Sequence, residues 1–354
     1  MPGLRQCWRL VYAGKGLSLD LHTSSDYEAV HACDVATASG AHAFVALCRR
    51  ADAVLSSCDM EVARLAVDAG RPTALYDPLS WFYRQMPAVC GEVELYLCQN
   101  FLGVKERLAA DPARRAVVVP PLVPSLPSMP RRGTLVNLGG LRHPFTDDAA
   151  CAAYGRAMVA AVHGSRSAAP LSIFTSGRVA AQLADVGATT VPPPQARAEL
   201  ARAEQAFLTP GLGNLYDAAA LAGRTFFTPP FADSQGQQLQ LLRREGLMPP
   251  ALDWHEILDI EPIDYWGPQP QVMAAIGRAV AALGSSPAAQ SRLGAEVCAR
   301  VAAGPAEQPL RGLLERFGAD DGRQVAQSIN QRLAGHSVPH AISGEPTWGH
   351  TTTP

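Results

Sequence analysis

The forty residues from Phe207 to Gly246, FLTPGLGNLYDAAALAGRTFFTPPFADSQGQQLQLLRREG, decide how the rest of this chain is read. The apolar run Ala206-Phe207-Leu208 meets Thr209-Pro210-Gly211, which stops a strand. Gly213-Asn214 then opens a run of small and apolar residues to Leu221 at helical spacing, with Gly223 where a C-cap is expected. Thr225-Phe226-Phe227 is a second buried strand, halted by Pro229-Pro230, and Ser234 is placed to cap a helix over 235–245. Strand, glycine loop, helix, strand, loop, helix is the build of a parallel α/β sheet, whose ligands sit at the carboxyl ends of the strands. Gly211 and Gly213 let a ligand approach the backbone, and the helix start behind them offers unpaired N–H groups and a positive dipole to an anion. Asp217, one turn in, could accept hydrogen bonds from a sugar diol, or it is an ordinary helix carboxylate.

Outward from this stretch, composition limits the possibilities. The chain has 354 residues, enough for two ordinary domains, with 47% hydrophobic and 18% charged residues. A net charge of −2 without a basic run disfavours nucleic acid as a partner. Its eight cysteines form no C-x-x-C pair, which reads as reduced thiols in a cytoplasmic protein and disfavours a metal cluster. The N-terminal segment lacks a signal-type apolar core, and no apolar run reaches membrane-spanning length. Oligomeric state is left open.

Residues 8–14 read as a strand ending in Gly14-Lys15-Gly16, a tight turn by its spacing, and residues 17–30 as a surface loop carrying His22. A helix over 41–50, a strand at 53–55, a helix ending at Gly70 and a strand over 73–76 make a βαβ unit that places Asp77 at a strand's carboxyl end and Trp81 one turn beyond. Strands follow at 93–97 and 117–119. Residues 120–132 hold five prolines, a stiff linker. Val136-Asn137-Leu138-Gly139-Gly140 then restarts the pattern, followed by helices over 149–162 and 194–204, strands at 171–175 and 189–191, and three helices beyond Gly267. The predicted fold is two Rossmann-like α/β domains facing a cleft: 1–119, a linker over 120–132, 133–334, and a disordered tail over 335–354.

The second half resembles the donor-binding domain of GT-B glycosyltransferases, the group that includes the N-acetylglucosaminyl transferase of cell-wall lipid synthesis and the macrolide and plant glucosyltransferases. The residues carrying the resemblance are Leu138-Gly139-Gly140, Thr209 to Asp217, Gly223 with Thr225–Pro230, and Ser234-Gln235. It implies a UDP-sugar donor and no bound metal or other cofactor. Gly211, Gly213 and Asn214 would hold the diphosphate and Asp217 the ribose. Ser234 and Gln235 would face the sugar, with Gly139 and Gly140 bordering the phosphates and Ser176 a further donor-binding residue. A narrower resemblance, carried by Val136–Leu141 with Pro144-Phe145, Pro210-Gly211-Leu212, Pro229-Pro230 and Asp77-Pro78-Leu79-Ser80-Trp81, is to enzymes of the cytosylglucuronate synthase type in nucleoside-antibiotic biosynthesis. It implies glucuronate transfer to cytosine or hydroxymethylcytosine.

The chain departs from the family pattern in three places. Pro210 stands where plant-type enzymes have a histidine, and Asp217 falls one position early. The N-terminal half either starts at the family's second strand or uses residues 8–14 as its first. On the acceptor side, Asp77 either orients or deprotonates the acceptor or caps the Pro78 turn, and Trp81 either stacks on a planar base or is core. His22 is a base or a surface histidine. His143 is the second catalytic candidate, and Arg142 a candidate partner for a phosphate or carboxylate. The alternatives are a sugar-nucleotide epimerase or hydrolase of the same fold, and a transferase homologue that binds nucleotide without catalysis.

Overall fold

The computed structural model describes residues 2–16, 19, 27–111, 116–123, 126, 129–141, 146–165, 170–303 and 309–333. The chain divides into two compact units, one of residues 1–122 with 319–354 and the other Val123–Gly318.

The first unit opens with a short helix α1 (Pro2–Arg5) and a parallel strand pair, β1 (Val11–Gly14) and β2 (Ala29–Ala32). The structure therefore places a strand at 29–32, where the expected loop ran to residue 30. Helix α2 (Ala38–Arg50) starts three residues before its predicted position, because the Thr37 hydroxyl accepts the Gly40 N–H at 3.1 Å and caps it. Then come β3 (Val54–Ser57), α3 (Met60–Asp68), β4 (Thr73–Asp77), β5 (Leu95–Gln99), α4 (Val104–Ala109) and β6 (Ala116–Val119). Strands β3-β4-β5-β6 form a parallel sheet in that order. Thr73–Asp77 and Leu95–Gln99 are buried at every position, as inner strands covered on both faces must be.

In the second unit the strands are β7 (Thr134–Asn137), β8 (Leu171–Phe174), β9 (Gln205–Leu208) and β10 (Arg224–Phe227). Its helices are α5 (Asp148–Ser165), α6 (Gly177–Gln182), α7 (Pro193–Arg202), α8 (Leu212–Leu221), α9 (Asp233–Arg244), α10 (Trp254–Ile257), α11 (Gln269–Ser285), α12 (Pro287–Ala302) and α13 (Arg311–Phe317). The sheet order is β10-β9-β7-β8, all parallel, so the strand at 189–191 reduces to one bridge from Thr189 to Phe174. From β7 the chain moves one way to β8, then crosses back to β9 and continues to β10. Right-handed crossovers put α5 and α8 on opposite faces. The packing agrees, with α5 against α11 and α12, and α8 against α7 and α13.

Two local expectations in this unit change. Helix α8 ends at Ala222 with extended backbone, so Gly223 is no C-cap. It is glycine because a Cβ there would stand 2.5 Å from the Glu204 carbonyl oxygen and 3.1 Å from that of Ala203. Helix α9 begins at Asp233 after an Ala232 cap position, so Ser234 lies inside it. The Asp233 carboxylate, which accepts the Ser234 N–H at 2.8 Å, takes the place expected of the serine.

The last described helix, α14 (Arg323–Leu333), was expected to close the second domain and instead belongs to the first unit. Val325, Ala326, Ile329 and Leu333 make an apolar stripe at helical spacing, buried with Leu4, Tyr76, Leu95 and Leu97. Asp320 secures the return, its N–H donating to the Pro121 carbonyl at 3.0 Å and its carboxylate accepting the Gly322 N–H at 3.0 Å. The proposed tail over 335–354 lies outside the described residues.

Candidate functional site

A doubly wound sheet has a crevice where two neighbouring strands send their chains to opposite faces. In the second unit that place is between β7 and β9. The register brings Asn137 level with Leu208 and with Phe174, and Leu208 level with Phe227, so four strands end at one height. The loops there are Leu138-Gly139-Gly140 after β7, Thr175-Ser176 after β8, Thr209-Pro210-Gly211 after β9 and Thr228-Pro229-Pro230 after β10.

Gly211 is the N-cap of α8, with ordinary extended backbone and no side-chain cap. A Cβ at Gly211 or Gly213 would meet nothing within 4 Å among the described residues. Neither packing nor backbone conformation therefore requires glycine at these two positions, and open space lies in front of the helix start. The N–H groups of Leu212, Gly213 and Asn214 are first-turn donors that the helix cannot satisfy. No partner for them is found among the described residues. This is what an anion needs: several converging donors and the positive end of a ten-residue helix.

The two loops are joined by side chains. Asn137 Oδ1 accepts the Gly139 N–H at 3.0 Å, and its Nδ2 donates to Asn214 Oδ1 at 3.2 Å. Asn214 Nδ2 donates to Thr209 Oγ1 at 3.0 Å and to the Thr209 carbonyl at 2.8 Å. The fully buried Thr209 hydroxyl donates to the Gly139 carbonyl. On the other side of the β7 loop, Gln235 Nε2 donates to the Gly140 carbonyl at 3.3 Å while its Oε1 accepts the Phe231 N–H at 2.8 Å. Gly140 has φ +78°, a left-handed turn that favours glycine. Thr175 Oγ1 donates to the Leu138 carbonyl at 3.2 Å. The neighbouring Ser176 Oγ is buried with no partner among the described residues.

The structure thus brings Gly139, Gly140, Ser176, Gly211, Gly213, Asn214 and Gln235 to one face, with Ser234 in the first turn of α9. Asp217, by contrast, is held by Arg197 of α7, whose Nε lies 3.1 Å from both carboxylate oxygens. Burial raises the Asp217 pKa, and the Arg197 charge and hydrogen bond pull against that rise. Arg142 and His143 lie outside the described residues, as does His22.

In the first unit Asp77 does end β4, and it is wholly buried. Its Oδ2 accepts the Tyr96 hydroxyl at 2.7 Å, and its Oδ1 accepts the Leu79 N–H at 2.8 Å and the Tyr83 hydroxyl at 3.5 Å. Burial raises its pKa, and these hydrogen bonds lower it. Of the two readings, this geometry is that of a turn anchor. Trp81 is buried as well, with Nε1 donating to the Pro78 carbonyl at 3.2 Å and its ring against Phe82 and Phe101. It is core. At the end of β3, Cys58 has φ +58° and is exposed.

Asn137, Thr209 and Arg197 were not among the expected site residues. The first had a local signal: an asparagine two residues before a glycine at a strand end commonly turns back onto the backbone. The other two act through partners distant in sequence.

No protein-family model matches the chain, and no curated protein matches its sequence. Among solved structures it is similar to the calicheamicin glycosyltransferase CalG4 (16% identity, 94% of each chain, TM-score 0.46). It is also similar to Arabidopsis thaliana UGT89C1 (12% identity, 93% of each chain, TM-score 0.48). A third is Acinetobacter baumannii MurG (12% identity, 88% of this chain and 91% of that one, TM-score 0.42). Identities of 12–16% are too low for a substrate to be carried from one chain to another.

Proposed function

We propose that this chain is a glycosyltransferase of GT-B type that moves a sugar from a UDP-sugar to a small heterocyclic acceptor. The observation carrying this reading is the uncapped, glycine-rich start of α8 at the β7/β9 switch point, where a Cβ at Gly211 or Gly213 would meet none of the described residues within 4 Å. In such a transfer the acceptor atom attacks the anomeric carbon, the bond from that carbon to the diphosphate oxygen breaks, and negative charge grows on the leaving UDP. Donors aimed at that charge lower the barrier. Here they would be the N–H groups of Leu212, Gly213 and Asn214, with Gly139 and Gly140 bordering the phosphates and the Ser176 hydroxyl within the same face. These donors and the helix dipole supply the counter-charge that a metal would otherwise provide, so no metal is assigned. Among the described residues no group of three or more His, Cys, Asp or Glu side chains could hold one.

Asp217 would meet the donor ribose, with Arg197 opposing the rise in its pKa that burial causes. Ser234, at the start of α9, is assigned to the donor sugar. The Gln235 side chain is spent on the Gly140 carbonyl and the Phe231 N–H, which makes it a support for the β7 loop. Arg142 and His143 follow that loop in sequence; Arg142 is assigned to the diphosphate or a donor carboxylate, and His143 is the catalytic candidate on this side. Glucuronate as the sugar, and cytosine or hydroxymethylcytosine as the acceptor, complete the proposal on the strength of the sequence resemblance. Asp77 would shape the acceptor side through the 78–83 turn it anchors.

Titration with UDP tests the donor site, and no binding at millimolar UDP would sink the reading. Incubation with UDP-glucuronate and cytosine, followed for UDP release and a new product mass, tests the transfer. UDP release that does not depend on acceptor would favour a hydrolase on the same fold.

A further inference from the structure

The hydrogen bonds between the β7 and β9 loops close on themselves. The Gly139 N–H donates to Asn137 Oδ1, Asn137 Nδ2 to Asn214 Oδ1, Asn214 Nδ2 to Thr209 Oγ1, and the Thr209 hydroxyl back to the Gly139 carbonyl. The ring starts and ends on one glycine, and each of its three side chains both donates and accepts. That fixes the orientation of both amides: Asn137 Oδ1 must face the Gly139 N–H, so its Nδ2 faces Asn214, and Asn214 must turn its Nδ2 to Thr209. A chain of hydrogen bonds in a partly buried place polarises its own members and resists piecemeal opening. It spans the switch point, between the loop that leads toward α5 and the loop that opens α8.

We infer that Asn137 is a positioning residue for the anion site. It acts through Asn214 and Thr209 to hold the β7 glycine turn against the first turn of α8, so that the backbone donors of both loops converge before a ligand arrives. The inference rests on the diphosphate reading above and adds to it. With both ends of its amide committed to the ring, Asn214 serves the anion through its backbone N–H, and its side chain keeps that N–H aimed. A preorganised set of donors has little ordering cost at the moment of binding.

The test is a double-mutant cycle read by calorimetric titration with UDP. Asn137→Ser keeps a short acceptor for the Gly139 N–H and is too short to reach Asn214. Asn214→Ala removes the ring's other amide and leaves the α8 backbone in place. Each single variant should weaken UDP binding about five- to tenfold, the size of one lost neutral hydrogen bond. The double variant should be no weaker than Asn214→Ala alone, because Asn137 has nothing left to act through. Thermal unfolding without ligand accompanies each titration, and Asn137→Thr serves as a second probe should Asn137→Ser fold poorly. Wild-type affinity in a folded Asn137 variant, or losses that multiply in the double variant, would overturn the inference and leave the donor site standing. Absence of UDP binding in the unmodified protein would instead remove the function proposed above.

Discussion

Replacing Gly213 by alanine should make the protein more stable and a worse binder of UDP, two effects of opposite sign from one methyl group. Gly213 is the second residue of α8, and a Cβ built there meets nothing within 4 Å. Alanine therefore adds no clash and removes backbone freedom from the unfolded chain. Glycine inside a helix costs about 0.5–1 kcal/mol relative to alanine. For a unit of this size that corresponds to a rise in melting temperature of about 1–4 °C. The same methyl group would stand beside the first-turn N–H groups and hold a diphosphate away from them. Losing one hydrogen bond to a charged oxygen costs about 1.5–3 kcal/mol, so UDP affinity should fall by about tenfold or more. Thermal unfolding of the ligand-free protein gives the first number and calorimetric titration with UDP the second. A stabilised variant that binds UDP like the wild type would show that the glycine serves no ligand there. A destabilised variant would show that the space in front of α8 is not open.

Arg197→Leu leaves the Asp217 carboxylate, with 17% of its side chain exposed, without its ion-pair partner, and should destabilise the second unit by about 1–3 kcal/mol at pH 7. Burial has already raised the folded pKa of Asp217, so the stability linked to its proton is full below about pH 4, its ordinary value, and is lost as pH rises through the folded value. Without Arg197 that loss grows, so chemical denaturation should show a smaller effect of the variant at pH 4 than at pH 7. Asp77→Asn tests the same linkage in the first unit. Since the folded pKa of Asp77 is also raised, the stability of wild type relative to variant should fall between pH 4 and pH 7, and a constant difference would mean that the carboxyl titrates normally. Gly223→Ala drives a Cβ to within 2.5 Å of the Glu204 carbonyl and should cost about 1–3 kcal/mol, measurable as a lower denaturation midpoint at unchanged UDP affinity.

What could be read in the sequence followed from local rules, and what could not came from contacts distant along the chain. The strand at β9, the glycine opening of α8 and the strand at β10 were legible because proline, glycine and apolar runs act within a few residues. Burial of Thr73–Asp77 and Leu95–Gln99 on both faces was legible as continuous apolar text. The place of α14 was not. Its stripe of Val325, Ala326, Ile329 and Leu333 says that a face is buried but not against which sheet, and the partners Leu4 and Tyr76 lie more than half the chain away. The Arg197–Asp217 pair crosses from α7 to α8 and left no mark at helical spacing within either element. Gly223 was read as a cap because glycine after a helix has two common causes. Only the position of the Glu204 carbonyl separates the turn from the close approach.

The carboxyl ends of the two sheets have been given opposite chemistry. In the first unit the Asp77 carboxylate at the end of β4 is met from several sides by donors of its own chain, the Tyr96 and Tyr83 hydroxyls and the Leu79 N–H. A buried negative charge is costly unless such donors surround it. Once they do, those donors are spent on the carboxylate. In the second unit the ring at the switch point contains two side-chain amides, one hydroxyl and the backbone N–H and carbonyl of one glycine, and no group that titrates. Its side chains hydrogen-bond one another and the Gly139 carbonyl, Asn137 Oδ1 accepts a single backbone N–H, that of Gly139, and the first turn of α8 is left uncapped. A serine or aspartate at position 211 would have satisfied one of those donors and stabilised the helix by about 1 kcal/mol. Glycine there gives up that stability and leaves the donors for something else. Because the ring carries no charge, it neither repels a dianion nor changes with pH, so the charge of the bound group is balanced by the backbone itself.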